Sequence, residues 1–395
     1  MVVVTLPDTD WRHRAGLDAL VETLGGGDQA RFVGGAVRDA LLGIPVADID
    51  IATRLDPDDV LHRLRRAGIK AVPTGIAHGT ITAVTEGGPV EVTTLRRDVS
   101  TDGRHAVVAF TDDWREDAAR RDFTMNALYA DPETGAVFDY FGGLDDLATR
   151  TVRFIGDPLR RIAEDHLRIL RFFRFLARFG EAPDADGLTA CAARANDLMA
   201  LSRERIRDEV LKLLLARHAV RVIGLMLDHA ILTPVLPEVN RDGLARLATL
   251  ADREAAQGIA PDAIRRLAVL VAPESAPVIG ARLKLSNTER KRLEAATPDA
   301  GAEGPAALAY RVGVTSARDR LLIAGADARF LDAWIAPVLP VKGGDLVGRG
   351  LRKGPDVART LRRIEDRWIA AGFPDDIADV IDAELAQALR DTSSA

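Results

Sequence analysis

Short apolar runs bounded by glycine and charge open the chain. Arg31–Val33 reads as a strand, Ala36–Leu42 as a helix closed by Gly43, and Asp48–Ala52 as a second strand. Val60, Leu61 and Leu64 fall at helical spacing between Asp56 and Ala67, and Thr80–Val84 and Val90–Leu95 read as β-branched strands. The polar stretch from Arg96 to about Glu116 is too long for a hairpin turn and is expected to be a mobile loop. From Asp157 onward strand patterns nearly vanish and the helical period takes over, interrupted at Gly180–Gly187, Pro234–Pro237 and Pro298–Ala306. No internal repeat stands out. The pattern predicts an α+β fold, a head with a small mixed β-sheet followed by an all-α remainder.

Composition narrows the setting. With 395 residues and 47% hydrophobic content, the chain can bury more than one core. Its single cysteine, Cys191, allows neither an intrachain disulfide nor a multi-cysteine zinc cage, which suits a reducing cytoplasm. The N-terminus lacks the basic-then-apolar pattern of a secretory signal, and no run approaches a membrane span, so a soluble protein is expected. A net charge of −6 argues against a nucleic-acid partner only on average, because residues 153–178 hold seven arginines against three acids. Arginine is the usual basic residue here, with only six lysines in the whole chain, so a lone arginine carries little information.

The most informative segment runs from Arg31 to Thr53. A strand entering Gly34-Gly35 and then a helix exposes backbone N–H groups that can cradle a triphosphate, and Arg38, about one turn on, can reach the same phosphates. A plain strand-to-helix turn would also explain the glycines. Asp48 and Asp50 alternate around Ile49 and so share one face of a strand. Paired carboxylates repel unless a cation relieves them, which makes Asp48 and Asp50 a platform for Mg²⁺ and a phosphorylated substrate, or else a solvated strand end. Glu91 interrupts an apolar strand and is the candidate third ligand; its alternatives are a solvent face or an ion pair with Arg96.

Farther along, Asp165 and Arg168 are spaced to share one face of a helix. The carboxylate accepts from the exocyclic amine of cytosine or adenine and the guanidinium donates to ring acceptors, so the pair would take CTP and ATP and reject GTP and UTP. An ordinary helix salt bridge is the alternative. Arg171 and Arg174 continue along the helix toward the base or triphosphate, whereas Phe172, Phe173, Phe175 and Phe179 read as core. Ser202 reads as a helix cap.

Four stretches together resemble the nucleotidyltransferase family shared by bacterial CCA-adding enzymes and poly(A) polymerases. The glycine turn with its acidic pair resembles the first motif, and Arg120–Leu128 (RRDFTMNAL) the second. Glu164–Arg171 (EDHLRILR) resembles the nucleobase-reading helix and Ser202–Glu209 (SRERIRDE) the helix that supports it. Order and spacing agree over residues 31–215. The resemblance implies a nucleotidyltransferase head over 1–150, a nucleobase-reading neck over 151–215, a helical body over 216–330 and a tRNA-binding tail over 331–395. It associates Arg120, Arg121 and Asp122 with the nucleotide's sugar and phosphates and counts Asn126 as nucleotide-binding, beside Gly34, Gly35, Arg38, Asp165, Arg168, Arg171 and Arg174; a helix cap at Asp122 and a core amide at Asn126 are the alternatives.

The activity implied is template-independent addition of CCA to tRNA 3′ ends from CTP and ATP with two Mg²⁺ ions held by Asp48, Asp50 and Glu91. The expected partner is the tRNA 3′ end and acceptor stem, with no membrane and no obligate protein partner. Poly(A) synthesis, or CC-only or A-only addition, is the alternative. Poly(A) polymerases typically lack an intact Glu-Asp-x-x-Arg helix, present here as Glu164, Asp165 and Arg168, and CC-adding relatives have a shortened loop where Asp98–Trp114 is full length. That loop is expected to reshape the site as the required base changes. In the tail, Gly343-Gly344-Asp345-Leu346 and Lys353-Gly354-Pro355-Asp356 open helices that either grip tRNA phosphates or form a capped hairpin. The absence of histidine after His229 argues against an accessory His-Asp phosphohydrolase domain.

Overall fold

Residue alternation builds the head. Ala30–Val33 (β1), Asp50–Thr53 (β2), Lys70–Gly75 (β3), Thr80–Thr85 (β4) and Gly88–Thr94 (β5) are followed by a pair, Arg96–Thr101 (β6) and Ala106–Phe110 (β7), then by Leu128–Ala130 (β8) and Val137–Asp139 (β9). The computed structural model describes residues 4–101, 106–298 and 300–393. Seven strands form one mixed sheet in the order β3-β4-β5-β2-β1-β8-β9. Its single parallel pairing, β2 with β5, sets Asp50 opposite Glu91; the other pairings are antiparallel. Ile49, Ile51, Val90 and Val92 are buried on one face, which turns Asp50 and Glu91 to the other.

Helices cover the sheet where its apolar face needs them. Leu17–Leu24 (α1) and Pro57–Arg66 (α3) pack on it through Leu20, Leu24, Val60 and Leu64, and Gly35–Leu41 (α2) lies against β1 and β8. Asp56 caps α3, with Pro57 in its first turn. Trp114–Ala119 (α4) drives Trp114 and Ala118 into a cluster with Val33, Leu95 and Tyr129, and Gly143–Ala148 (α5) follows β9.

Beyond the head come Thr151–Val152 (β10), Pro158–Glu164 (α6), Leu167–Phe179 (α7), Ala182–Pro183 (β11), Ala185–Ala193 (α8), Arg203–Leu214 (α9) and Ala219–Asp228 (α10). Phe172, Phe173, Phe175 and Phe179 are buried, as their spacing predicts. Phe154 stacks on Phe172 at 5.4 Å, and Phe123 reaches Phe175 at 5.1 Å, so the second motif and α7 share one aromatic core. Ser202 caps α9, and Cys191 lies fully buried in α8. Residues 1–237 form one compact unit and 238–395 another.

The second unit holds helices and no strand among its described residues. It comprises Arg241–Gln257 (α11), Ala263–Leu270 (α12), Ala276–Arg282 (α13), Asn287–Ala295 (α14), Pro305–Val312 (α15), Val314–Ala324 (α16), Gly343–Gly348 (α17), Pro355–Ala370 (α18) and Ala378–Ser393 (α19). Buried charge crosses its interior. Glu254 in α11 accepts from Arg265 and Arg266 of α12 at 2.8 Å each, while Asp319 in α16 pairs with Arg265 at 3.4 Å and with Arg292 of α14 at 2.6 Å. Toward the end of the chain, Trp368, Ile364, Leu346 and Ile377 centre a separate apolar cluster.

Two expectations change. The stretch from Arg96 to Glu116 is not a loop. β6 and β7 pair as an antiparallel hairpin, Arg96 opposite Phe110, because Ala106–Phe110 is an apolar, β-rich run that the charges on its partner obscure. Residues 102–105 of the expected Asp98–Trp114 loop lie outside the described residues, and its far end, Trp114, is a buried helix start. The second strand begins at Asp50 instead of Asp48, so Asp48 precedes the ladder. No helix among the described residues is long and apolar enough to cross a membrane.

Candidate active site

The first motif delivers its backbone and acids to the open face of the sheet. Gly34 has φ of +66°, a conformation that favours glycine, and a Cβ there would meet Arg121 Nη1 at 3.2 Å. Its N–H is not bare, since it donates to the Leu128 carbonyl at 3.1 Å. Arg38 is buried, donating to Asp39 Oδ1 at 2.8 Å and to Asn126 Oδ1 at 2.5 Å, with its guanidinium 4.3 Å from the Phe179 ring. Burial is what lowers the Arg38 pKa, against the opposing pull of Asp39.

Asp50 is the strained carboxylate of the site. Burial first, then the field of Glu91, raises its pKa to about 6; Arg121 opposes that rise and Asp48 adds to it. Glu91 and Asp48 are themselves exposed. Among the described residues, no three His, Cys, Asp or Glu side chains converge as a ready-made metal cage. Glu91 and Asp48 thus act on Asp50 through charge, while the three side chains do not meet at one point.

Asp122 is buried with both oxygens engaged. Oδ1 accepts from the Phe123 amide and Asn126 Nδ2, each at 2.9 Å, and Oδ2 from Arg171 Nε at 2.8 Å and Nη2 at 2.5 Å. Burial pushes its pKa upward, but Arg171 and Asn126 outweigh that and hold it below the ordinary carboxylate range. Arg120 and Arg121 are held by Asp117, which lies in α4 and is nearly inaccessible.

The third motif departs from the expected continuous helix. The backbone is extended at Asp165 (φ −154°, ψ 106°), which separates α6 from α7. Asp165 therefore stands before α7, where its Oδ1 accepts from the Leu167 amide at 3.1 Å and its Oδ2 from Arg205 Nη2 at 2.7 Å. Arg168 donates to Glu164 Oε2 at 2.6 Å, to the Arg161 carbonyl at 2.7 Å and to the Arg120 carbonyl at 3.2 Å. Arg161 donates to the carbonyls of Arg120 at 2.5 Å and Arg121 at 2.6 Å, so two arginines of the helical segment grip the backbone of the second motif.

These groups enclose a cleft of about 370 Å³. Its walls are Gly34, Gly35, Arg38, Asp50, Arg120, Arg121, Asp122, Asn126, Asp165, Arg168, Arg171 and Phe175. Of the residues predicted for the site, Asp48, Glu91 and Arg174 stand outside that lining. Arg174 is paired with Glu209 at 2.5 Å and lies 4.5 Å from the Phe175 ring. Sequence reasoning missed Asp117, Arg161 and the wall role of Phe175. The available signal was spacing: Asp117 precedes Arg120 and Arg121 by three and four residues, and Arg161 precedes Glu164 by three.

A family model described as the poly A polymerase head domain matches residues 30–153, and one described as a probable RNA and SrmB-binding site of polymerase A matches residues 184–242. Mitochondrial CCA tRNA nucleotidyltransferase 1 of Homo sapiens is 34% identical over 375 residues, covering 87% of this chain and 84% of the human one. The chain belongs to the CCA tRNA nucleotidyltransferase family. A CCA-adding enzyme of Limosilactobacillus fermentum matches at 31% identity over 97% of this chain and 98% of its own. The fold agrees as well: the crystal structure of the Bacillus stearothermophilus CCA-adding enzyme in complex with CTP superposes with a TM-score of 0.71 at 27% identity, covering 98% of this chain and all of that one. Membership in the CCA tRNA nucleotidyltransferase family agrees with the resemblance carried by the four motifs and does not favour poly(A) synthesis.

Proposed function

We propose that the chain extends tRNA 3′ ends by CCA, taking CTP and ATP without a nucleic-acid template. One observation carries the reading: a single cleft of about 370 Å³ joins the glycine turn and Asp50 to Arg120, Arg121, Asp165, Arg168 and Arg171. Catalytic acid, phosphate-binding cations and base-reading pair are thereby within one nucleotide's reach.

The acids suit a divalent cation. Burial, then Glu91 and Asp48, raise the Asp50 carboxyl, and Arg121 only partly offsets them; hard oxygen donors are the ligands Mg²⁺ prefers. Asp48 and Asp50, with Glu91, would hold two such ions. Bound there, Mg²⁺ supplies a lowered pKa for the primer's 3′-hydroxyl and neutralises charge on the triphosphate. The 3′-oxygen forms a bond to the α-phosphorus as the bond from that phosphorus to the bridging oxygen breaks, and pyrophosphate leaves. Arg120 and Arg121 stabilise the triphosphate and the departing pyrophosphate, with Arg38 and Asn126 bracing the glycine turn. Asp165 accepts from the 4-amino group of cytosine or the 6-amino group of adenine, and Arg168 and Arg171 donate to ring acceptors. In this reading the head spans 1–150, the neck 151–215, the body 216–330 and a tRNA-binding tail 331–395, and a full-length β6–β7 hairpin supports complete CCA addition over CC addition.

The test is incubation with Mg²⁺ and tRNA ending either at the discriminator base or in CC, supplying CTP, ATP or both. Two C and then one A are expected. Long A tails would move the assignment to poly(A) synthesis, and A added only to tRNA already ending in CC would make the chain an A-adding enzyme.

A further inference from the structure

Asp117 does not line the cleft, yet four donors converge on it. Oδ1 accepts from Arg120 Nε at 2.8 Å and from the backbone N–H of Arg96 at 3.2 Å. Oδ2 accepts from Arg121 Nη2 at 3.1 Å and from the Tyr129 hydroxyl at 2.5 Å. Only 1% of the residue is exposed. A carboxylate so buried must be satisfied by protein groups, and here the guanidiniums of Arg120 and Arg121 neutralise it.

The partners belong to different parts of the head. Arg120 and Arg121 border the nucleotide cleft, Tyr129 lies in the central sheet, and Arg96 is the root of the β6–β7 hairpin. The other root is tied to the same helix, since Thr111 Oγ1 donates to Glu116 Oε2 at 2.6 Å. A shift of the hairpin root therefore strains bonds that fix the two cleft arginines.

We infer that Asp117 is a positioning residue: it sets where Arg120 and Arg121 meet the triphosphate and makes that setting depend on the hairpin root. The inference rests on the nucleotidyl-transfer reading of the cleft. Asp117 acts on the phosphates before the base, because it holds the Arg120 and Arg121 side chains, whereas Arg168 meets only the Arg120 carbonyl. Loss of its charge should weaken every triphosphate alike.

Pyrophosphate with Mg²⁺ is the direct probe, since it has phosphates and no base. In Asp117→Asn, which keeps the side chain's size, its dissociation constant should rise about tenfold, as expected for losing charge-assisted hydrogen bonds. KM for CTP and ATP should rise in parallel, with rejection of GTP and UTP unchanged. Tyr129→Phe, which keeps the carboxylate, should show a smaller rise of about threefold, and it decides the matter if Asp117→Asn lacks a native melting transition. Unchanged pyrophosphate affinity in the folded variant overturns the inference, as does a loss of base selectivity equal to the loss of affinity. Hydrogen exchange at the Arg96 amide tests the coupling: pyrophosphate should slow it in the wild type and not in Asp117→Asn, and no slowing in the wild type overturns that part. Binding and exchange are read without tRNA, so they stand or fall apart from CCA addition itself.

Discussion

At the level of single side chains, Asp50 carries the sharpest consequence. Its pKa of about 6 lies above the ordinary carboxylate range because of burial and the field of Glu91. The folded state then binds more protons than the unfolded chain between the ordinary value and about 6, so stability falls as pH rises through that window and stays reduced above it. Thermal unfolding in chelator should find Asp50→Asn more stable than wild type by a few degrees at pH 8 and no more stable near pH 3. Added Mg²⁺ should raise the wild-type melting temperature at pH 8 and leave the variant's unchanged. Asp48→Ala should abolish incorporation while tRNA affinity, followed by filter binding, stays within about twofold. Asp165→Ala should incorporate GMP and UMP alongside CMP; continued rejection of both would remove the base-reading role. The sequence showed these acids because alternation and spacing are local. It hid the state of Asp122, whose Oδ2 is taken by Arg171 of α7, since no local pattern reports a partner 49 residues away.

Among the elements, period separated strand from helix in β4, β5 and α7, each with a buried face. It failed at the β6–β7 hairpin, where charged residues fill strand positions and length alone suggested a loop, and at Asp165, where a helix-compatible sequence turns extended and the carboxylate accepts from the Leu167 amide. The helical second unit shows the same limit. Nothing in the spacing of Glu254, Arg265, Arg266 and Asp319 announces that they meet in its interior. Removing one member strands the others without water. Glu254→Gln should therefore cost about 3–5 kcal/mol, read as a lower denaturant midpoint for that unit.

For the molecule entire, the acidic total of −6 conceals the arginine-rich stretch over residues 153–178. Binding to tRNA should still behave as a polycation–phosphate association. Raising salt from about 50 to 200 mM should weaken it at least tenfold, measured by fluorescence anisotropy with labelled tRNA. A salt-insensitive affinity would mean that the phosphate backbone is not the main contact.

Cys191 lends itself to a different use. Its thiol is fully buried, and burial pushes its pKa far above the working range, so alkylating dyes will leave the native chain unmarked. A thiol introduced by Asp112→Cys, at an exposed site where the hairpin returns to the head, would then take the only fluorophore. Its emission would follow the hairpin through successive additions in real time, with no background to subtract.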